Sequence, residues 1–325
     1  MPDDAPPLEV GYWLSSEEHG ARALVENAVR AEAAGFGAAM ISDHLHPWTP
    51  RQGHAPFVWG VLGAIAPATS ELRLATGVTA PIIRTHPAVV AHAAATAAVL
   101  LEGRFELGLG TGERLSEHVV GERWPRPGVR RRMLAEAIGI IRQLLGGEKV
   151  DHEGDFFRVE HMQLFTRPTT PPPILVAASG RRSAQLAGES ADGMISYAPS
   201  PNLVEAFEAA GGSGKPRIGQ IHVCWASTEE EARRTALDWW PNGALPQKLN
   251  SELAQPGDFA AVAEMVTEDA IAEAVVCGPD PERHHRAVAR FGAAGYDRVY
   301  VHQVGPDQAG FVDFWSREVA PSFAT

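Results

Sequence analysis

Short apolar runs that stop abruptly at polar or glycine-rich segments recur eight times along this chain, and helical stretches separate them. The runs occupy residues 8–13, 38–42, 72–78, 104–112, 174–178, 192–197, 217–225 and 297–302. Several are near-continuously apolar, as strands buried on both faces of a parallel sheet must be. The clearest helix spans 128–145, where Met133, Leu134, Ala137, Ile138, Ile141, Leu144 and Leu145 fall on one face. Other helices are predicted over 18–34, 57–69, 87–101, 181–190, 202–210, 228–240, most of 258–292, and 308–320. Strict alternation of this kind predicts an α/β fold, a (β/α)8 TIM barrel formed as one domain over residues 1–325. Two insertions interrupt it, near 147–173, where residues 150–159 read as a hairpin, and near 241–270. A doubly wound sheet is the alternative, but Gly11-Tyr12-Trp13-Leu14 is not a dinucleotide-binding turn after the first strand.

Composition narrows the partners. A net charge of −12 argues against nucleic acid or an anionic membrane. No apolar stretch approaches the roughly 20 residues needed to span a bilayer. Met1-Pro2-Asp3-Asp4 lacks the basic flank and apolar run of a secretory signal, so a cytoplasmic protein is expected. Cys224 and Cys277 are far apart in apolar contexts and read as buried reduced thiols.

In a barrel the chemistry collects at the C-terminal strand ends. Strand two ends in Met40-Ile41-Ser42-Asp43-His44-Leu45-His46-Pro47-Trp48, which places an acid, two histidines and a tryptophan together. Strand four runs into Gly110-Thr111-Gly112-Glu113, whose small residues leave room for a flat ligand. Strand five ends in Ser179-Gly180-Arg181-Arg182, where a helix start and two guanidiniums suit an anion. Tyr197, His222 and His302 end strands six, seven and eight. A histidine exchanges protons near neutrality without much tuning, so His44 is a candidate base. Glu113 is either a catalytic carboxyl or a cap for the next helix, and Arg181-Arg182 either an anion site or a solvated face. His44-Leu45-His46 also invites a metallohydrolase reading, but no later strand supplies the lysine or aspartate such a site uses, and no metal is expected.

Val10-Gly11-Tyr12, Ser42-Asp43-His44 with Pro47-Trp48, Gly53-His54-Ala55-Pro56-Phe57, Gly110-Thr111-Gly112-Glu113 and Ala191-Asp192-Gly193 together resemble the F420-dependent dehydrogenases of the luciferase-like superfamily, nearest the glucose-6-phosphate dehydrogenase branch. The resemblance covers nearly the whole chain. It implies a metal-free barrel, commonly homodimeric, that holds the deazaflavin coenzyme F420 in its mouth and oxidises a sugar, sugar phosphate or other alcohol. It makes His44 the base for the alcohol proton as hydride leaves for the cofactor, Glu113 the acid towards the ring, and Trp48 a residue that holds the reacting complex. Asp43, Thr76, Gly77, Val78, Ala80, Thr111, Gly112, Ser116, Ser179, Gly180, Arg182 and Ser183 would contact the cofactor, with a cis peptide at Gly77–Val78. Tyr197 and Lys248 would face substrate. An FMN-dependent monooxygenase, or an F420-binding protein without catalysis, is the alternative on the same scaffold.

The sequence also departs from that branch. Three basic positions that hold a sugar phosphate there fall on Ser200, Lys248 and Ala274, and a neighbouring histidine falls on Leu249. Each hydrogen bond to a charged group contributes about 1.5–3 kcal/mol, so two lost contacts weaken phosphate binding unless others such as Arg51 or Arg84 replace them.

Overall fold

In the computed structural model, which describes residues 8–323, the predicted alternation closes into a barrel. Its strands are β1 (Glu9–Leu14), β2 (Ala38–Ile41), β3 (Arg73–Thr76), β4 (Phe105–Leu109), β7 (Ile174–Ala177), β8 (Gly193–Ser196), β9 (Arg217–Cys224) and β11 (Arg298–Gln303). They pair in parallel in that order, and β9 pairs with both β8 and β11 to complete the ring. β5 (Val150–Glu153) and β6 (Arg158–Met162) form the antiparallel hairpin expected in the first insertion. The acidic N-terminus read above for a signal lies outside the described residues.

The details differ from the sequence reading at three places. The apolar break near residues 274–276 is a short strand, β10 (Val276–Cys277), which pairs with β9 beyond the point where β8 stops. The second insertion is largely helical, with turns at Pro241–Ala244, Gln247–Glu252 and Pro256–Ala263. Pro241 and Pro256 open two of these elements, where proline favours rather than breaks a helix. The first helix starts at Ala21, so Glu17 and Glu18 belong to the loop after β1.

The lumen is filled by Trp13, Ala38, Met40, Ala75, Leu175, Ile195, Ile218 and Tyr300, all buried. Close packing there explains Gly11, because a Cβ would come within 2.5 Å of the Tyr300 ring. At the N-terminal end Arg298 bonds Glu106 at 2.6 Å and Glu9 at 2.7 Å, and Glu9 also pairs with Arg73. No helix of the described residues is long and apolar enough to cross a membrane.

Candidate active site

The loop after β2 delivers His44 and Trp48 to the C-terminal mouth. Both are buried, with ring centroids 4.8 Å apart, and Trp48 packs edge-on against Phe259 at 5.2 Å. Backbone N–H groups of Trp48 and Thr49 donate to Gln52 Oε1, and Gln52 Nε2 donates to the Trp239 carbonyl. Gln52 Nε2 also donates to Asn242 Oδ1 at 3.3 Å, which ties the loop to the start of the second insertion.

His44 Nε2 lies between two carboxylates, 3.5 Å from Glu17 Oε1 and 3.7 Å from Glu113 Oε2. Their environments push them apart. Burial alone would raise Glu17, but the positive charge of His44 and a 2.5 Å hydrogen bond from Ser42 Oγ outweigh it and hold Glu17 below the usual range. Glu113 is raised by burial, with His44 opposing. Its side chain keeps 38% of its surface open through the mouth, so this shift is smaller than full enclosure would cause. Glu113 stands at the helix N-cap position yet makes no capping hydrogen bond, which leaves its carboxyl free for the site. A pair of carboxylates shifted in opposite directions around one imidazole can divide acid and base duties.

Asp43 has both oxygens engaged, one by Thr79 Oγ1 at 2.7 Å and one by Arg84 at 3.0 Å. Arg84 also faces Glu117, which burial pushes up to about 7. Thr76 is buried with its hydroxyl bonded to the Gly108 backbone, and Ser116 Oγ accepts from Leu45 N–H at 3.2 Å. The Gly77–Val78 peptide is cis. Gly110 makes room for the Val78 side chain, and Gly112, at φ +65°, turns the chain beside Ala80 and Thr111. Ser179 and Gly180 precede helix Arg181–Ser190, whose first N–H groups lack helical acceptors; Arg181 and Arg182 are exposed and Ser183 half-buried. Partial burial raises the Tyr197 hydroxyl, but 49% of the residue stays exposed, so the shift is smaller than enclosure would cause.

The cations are mostly committed. Arg51 pairs with Asp238 and stacks on Trp239, Arg84 pairs with Asp43, and Arg130 pairs with Glu252. Neither Arg51 nor Arg84 is therefore a spare phosphate ligand. Lys248 is exposed on helix Gln247–Glu252, Ser200 precedes helix Pro201–Phe207, and Ala274 ends helix Glu268–Ala274. Among the described residues no group of three or more His, Cys, Asp or Glu is arranged to hold a metal ion.

Sequence reasoning missed Glu17, Glu18 and Trp240. Glu17-Glu18 reads as a helix start, and only the contact of this loop with β2 and β11 reveals its role. His302 and His222 were visible as strand-end histidines, but not their direct contact at 2.9 Å.

Known proteins resemble this chain in sequence and fold. A family model described as luciferase-like monooxygenase matches residues 7–298. An F420-dependent hydroxymycolic acid dehydrogenase of Mycobacterium tuberculosis is 37% identical over 96% of this chain and 87% of its own length. An F420-dependent glucose-6-phosphate dehydrogenase of Nakamurella multipartita is 33% identical over 97% of this chain and 96% of its own. Among solved structures, an F420-dependent secondary alcohol dehydrogenase in complex with an F420–acetone adduct superposes with a TM-score of 0.91 at 28% identity, covering 98% of this chain and all of that one. The chain belongs to the luciferase-like family, among its F420-dependent dehydrogenases acting on alcohol groups.

Proposed function

We propose that this protein is a coenzyme F420-dependent alcohol dehydrogenase, and the observation that carries the reading is His44 held between Glu17 and Glu113. The mouth fits a flat cofactor with an anionic tail. Among the described residues His44 Nδ1 is buried without a hydrogen-bond partner, and a Cβ at Gly180 would meet nothing within 4 Å. The free N–H groups after Gly180, with Arg182 and Ser183, would hold the tail. Asp43, Gly77, Val78, Thr111 and Gly112 would line the ring; Thr76, Ala80 and Ser116 shape that wall from behind. When bound, the deazaflavin supplies the hydride acceptor.

The chain's own residues move the proton. With its ring proton on Nδ1, His44 presents the Nε2 lone pair to the space between Glu17 and Glu113. His44 Nε2 thus accepts the substrate hydroxyl proton, and Glu17 stabilises the imidazolium. Glu113 keeps its own proton to higher pH and serves as the acid. Because it lies 3.7 Å from the same nitrogen, a small closure lets it regain that proton from His44. Trp48 fixes the His44 ring and keeps water from it.

With Arg51, Arg84 and Arg130 paired and Arg181 and Arg182 beside the proposed tail site, an uncharged alcohol is favoured over a sugar phosphate, with Tyr197 beside the reacting group and Lys248 at the rim. A second copy of the chain is the partner we propose. Helices Val58–Ile65 and Pro87–Leu100 carry no Asp, Glu, Lys or Arg, yet expose Val89 (56%) and Leu100 (49%), with Phe57 (70%) beside them. Such a face suits a homodimer. Two buried free thiols suit the reducing cytoplasm.

The test is purified protein with F420 and a panel of secondary alcohols, free sugars and sugar phosphates, read by loss of cofactor absorbance. Turnover of neutral alcohols is expected. A tight FMN complex that consumes oxygen, or F420 binding without reduction by any alcohol, sinks the reading.

A further inference from the structure

A second polar cluster stands beside the His44 site, and the chemistry above leaves it unused. β9 and β11 run in register with His222 opposite His302. Their Nδ1 atoms are 2.9 Å apart, and His302 Nε2 lies 2.6 Å from Glu18 Oε2. Glu18 Oε1 accepts the Gly305 N–H at 2.8 Å. Glu18 and His302 are buried, and Trp240 stands edge-on to His302 at 4.5 Å between centroids, with Trp13 at 6.3 Å. His222 is half-buried at the mouth, and its Nε2 has no hydrogen-bond partner among the described residues.

Two nitrogens in contact must share one proton, so with both rings neutral the chain has two arrangements. In one, Glu18 Oε2–H donates to His302 Nε2, His302 Nδ1–H donates to His222 Nδ1, and His222 Nε2 carries a hydrogen into the mouth. In the other, Glu18 is ionised, His302 Nε2–H donates to it, His222 Nδ1–H donates to His302, and His222 Nε2 is a lone pair. They differ by one proton, carried at Glu18, while the change in hydrogen-bond character is expressed at His222.

We infer that Glu18 and His302 are positioning residues that set the hydrogen-bond polarity of His222 Nε2, and that His222 in its donor form binds a second, uncharged oxygen of the alcohol substrate. The substrate part rests on the function proposed above; the coupling does not. A neutral N–H is a good partner for an ether, hydroxyl or carbonyl oxygen and a poor substitute for the cation a phosphate needs.

Burial sets the working range. It pushes His222 and His302 down to about 3, which keeps both rings neutral, and Glu18 up to about 8. The titratable groups around Glu18 are His302 on β11, Glu17 and His19 in its own loop, Tyr12 on β1 and Cys224 on β9. Glu17 also acts on both histidines. His222 is therefore a donor at neutral pH and becomes an acceptor as Glu18 ionises.

Glu18→Gln is the decisive variant, because a glutamine amide can keep accepting from Gly305 while its NH2 donates to His302, which fixes the donor arrangement at every pH. The tautomer of His222 is read by nitrogen NMR of histidine-labelled protein without cofactor, with His222→Gln used to assign the signal. The wild-type protein should switch from Nε2–H to Nδ1–H as pH rises through the Glu18 range, and Glu18→Gln should not. A wild-type tautomer that never changes, or one that switches equally in Glu18→Gln, overturns the coupling. With an oxidised alcohol, wild-type KM should rise about tenfold through the same range and stay flat in Glu18→Gln, and His222→Phe should raise KM by a similar factor at neutral pH. An unchanged KM in His222→Phe overturns the substrate contact. If no alcohol reduces the cofactor, the proposed function fails and the NMR result still decides the coupling.

Discussion

The two ends of the barrel use charge in opposite ways. At the N-terminal end Arg298 is shared between Glu9 and Glu106, Glu9 between Arg298 and Arg73, and the Arg298 guanidinium also reaches the Tyr300 hydroxyl at 3.1 Å. At the C-terminal end His44 Nδ1, Trp13 Nε1 and Trp240 Nε1 are all buried without a hydrogen-bond partner among the described residues. Both ends bury polar groups, which is unfavourable in itself. One end answers that with a closed network, and the other leaves atoms over. Satisfied charges specify a structure, whereas leftover ones in a mouth are placed for something that enters it.

The largest effect should come from breaking the open end. His44→Ala is expected to lower kcat by about a thousandfold, the usual weight of a positioned acid–base group. Because the alanine also removes the ring that packs on Trp48 and faces the buried Glu17, thermal unfolding of the variant is measured alongside to show that the fold survives. Steady-state turnover with the best alcohol checks it, and an active alanine variant would place the chemistry elsewhere. Glu113→Gln should cost about a hundredfold, since the amide keeps the shape but has no proton to give.

Breaking the closed end should do the reverse. Arg298→Met leaves Glu9 and Glu106 without their shared cation and should destabilise the fold by about 3 kcal/mol. Denaturant unfolding measures that loss, and cofactor affinity should be unchanged. A variant of normal stability with lost affinity would erase the distinction between the two ends.

Acid should also separate them. His222 and His302 have depressed values near 3, against an unfolded reference near 6.5. Unfolded chains then bind more protons below that reference, so the stability the two rings contribute is full above about pH 6.5 and is lost as pH falls towards 3. Glu18, raised to about 8, works in the opposite sense: its contribution is full below about pH 4.5 and declines as pH rises through 8. Unfolding free energy followed across pH should fall on the acid side less steeply in His222→Gln than in the wild-type protein.

What the sequence revealed follows the same divide. Strand order, His44 and Glu113 were legible because strand periodicity marks where a barrel exposes chemistry, and each residue stands just past such an end. Asp43 was legible by position, but its lock onto Thr79 and Arg84 depends on a loop forty residues away in sequence closing over it, roughly the span of one βα unit. Glu17 and Glu18 were not legible. As residues they resemble a helix start, and their meaning comes from β2 on one side and β11 on the other. The same is true of the bottom network, where Glu9, Glu106 and Arg298 are ordinary surface residue types until barrel closure brings three strands together.

The smallest effect belongs to Lys248, the basic residue left from the sugar-phosphate pattern. It is exposed on a six-residue helix, Gln247–Glu252, whose neighbours Leu249 and Asn250 offer no second cation. The helix is held near the mouth by Arg130, which bonds Ser251 at 2.9 Å, and by Arg114, whose guanidinium reaches the Glu252 carbonyl at 3.5 Å. A single solvated ammonium there attracts an anion weakly and through screened water. Lys248→Ala should therefore raise KM for glucose 6-phosphate by only about twofold to threefold at low salt, and the difference should vanish at high ionic strength. Neutral alcohols should not register the change at all. A loss of tenfold or more that survived salt would mean that the insertion closes over the mouth to bury the lysine against the phosphate. The open end would then gain a satisfied charge on binding, and a sugar phosphate, not a neutral alcohol, would be the substrate the leftover groups await.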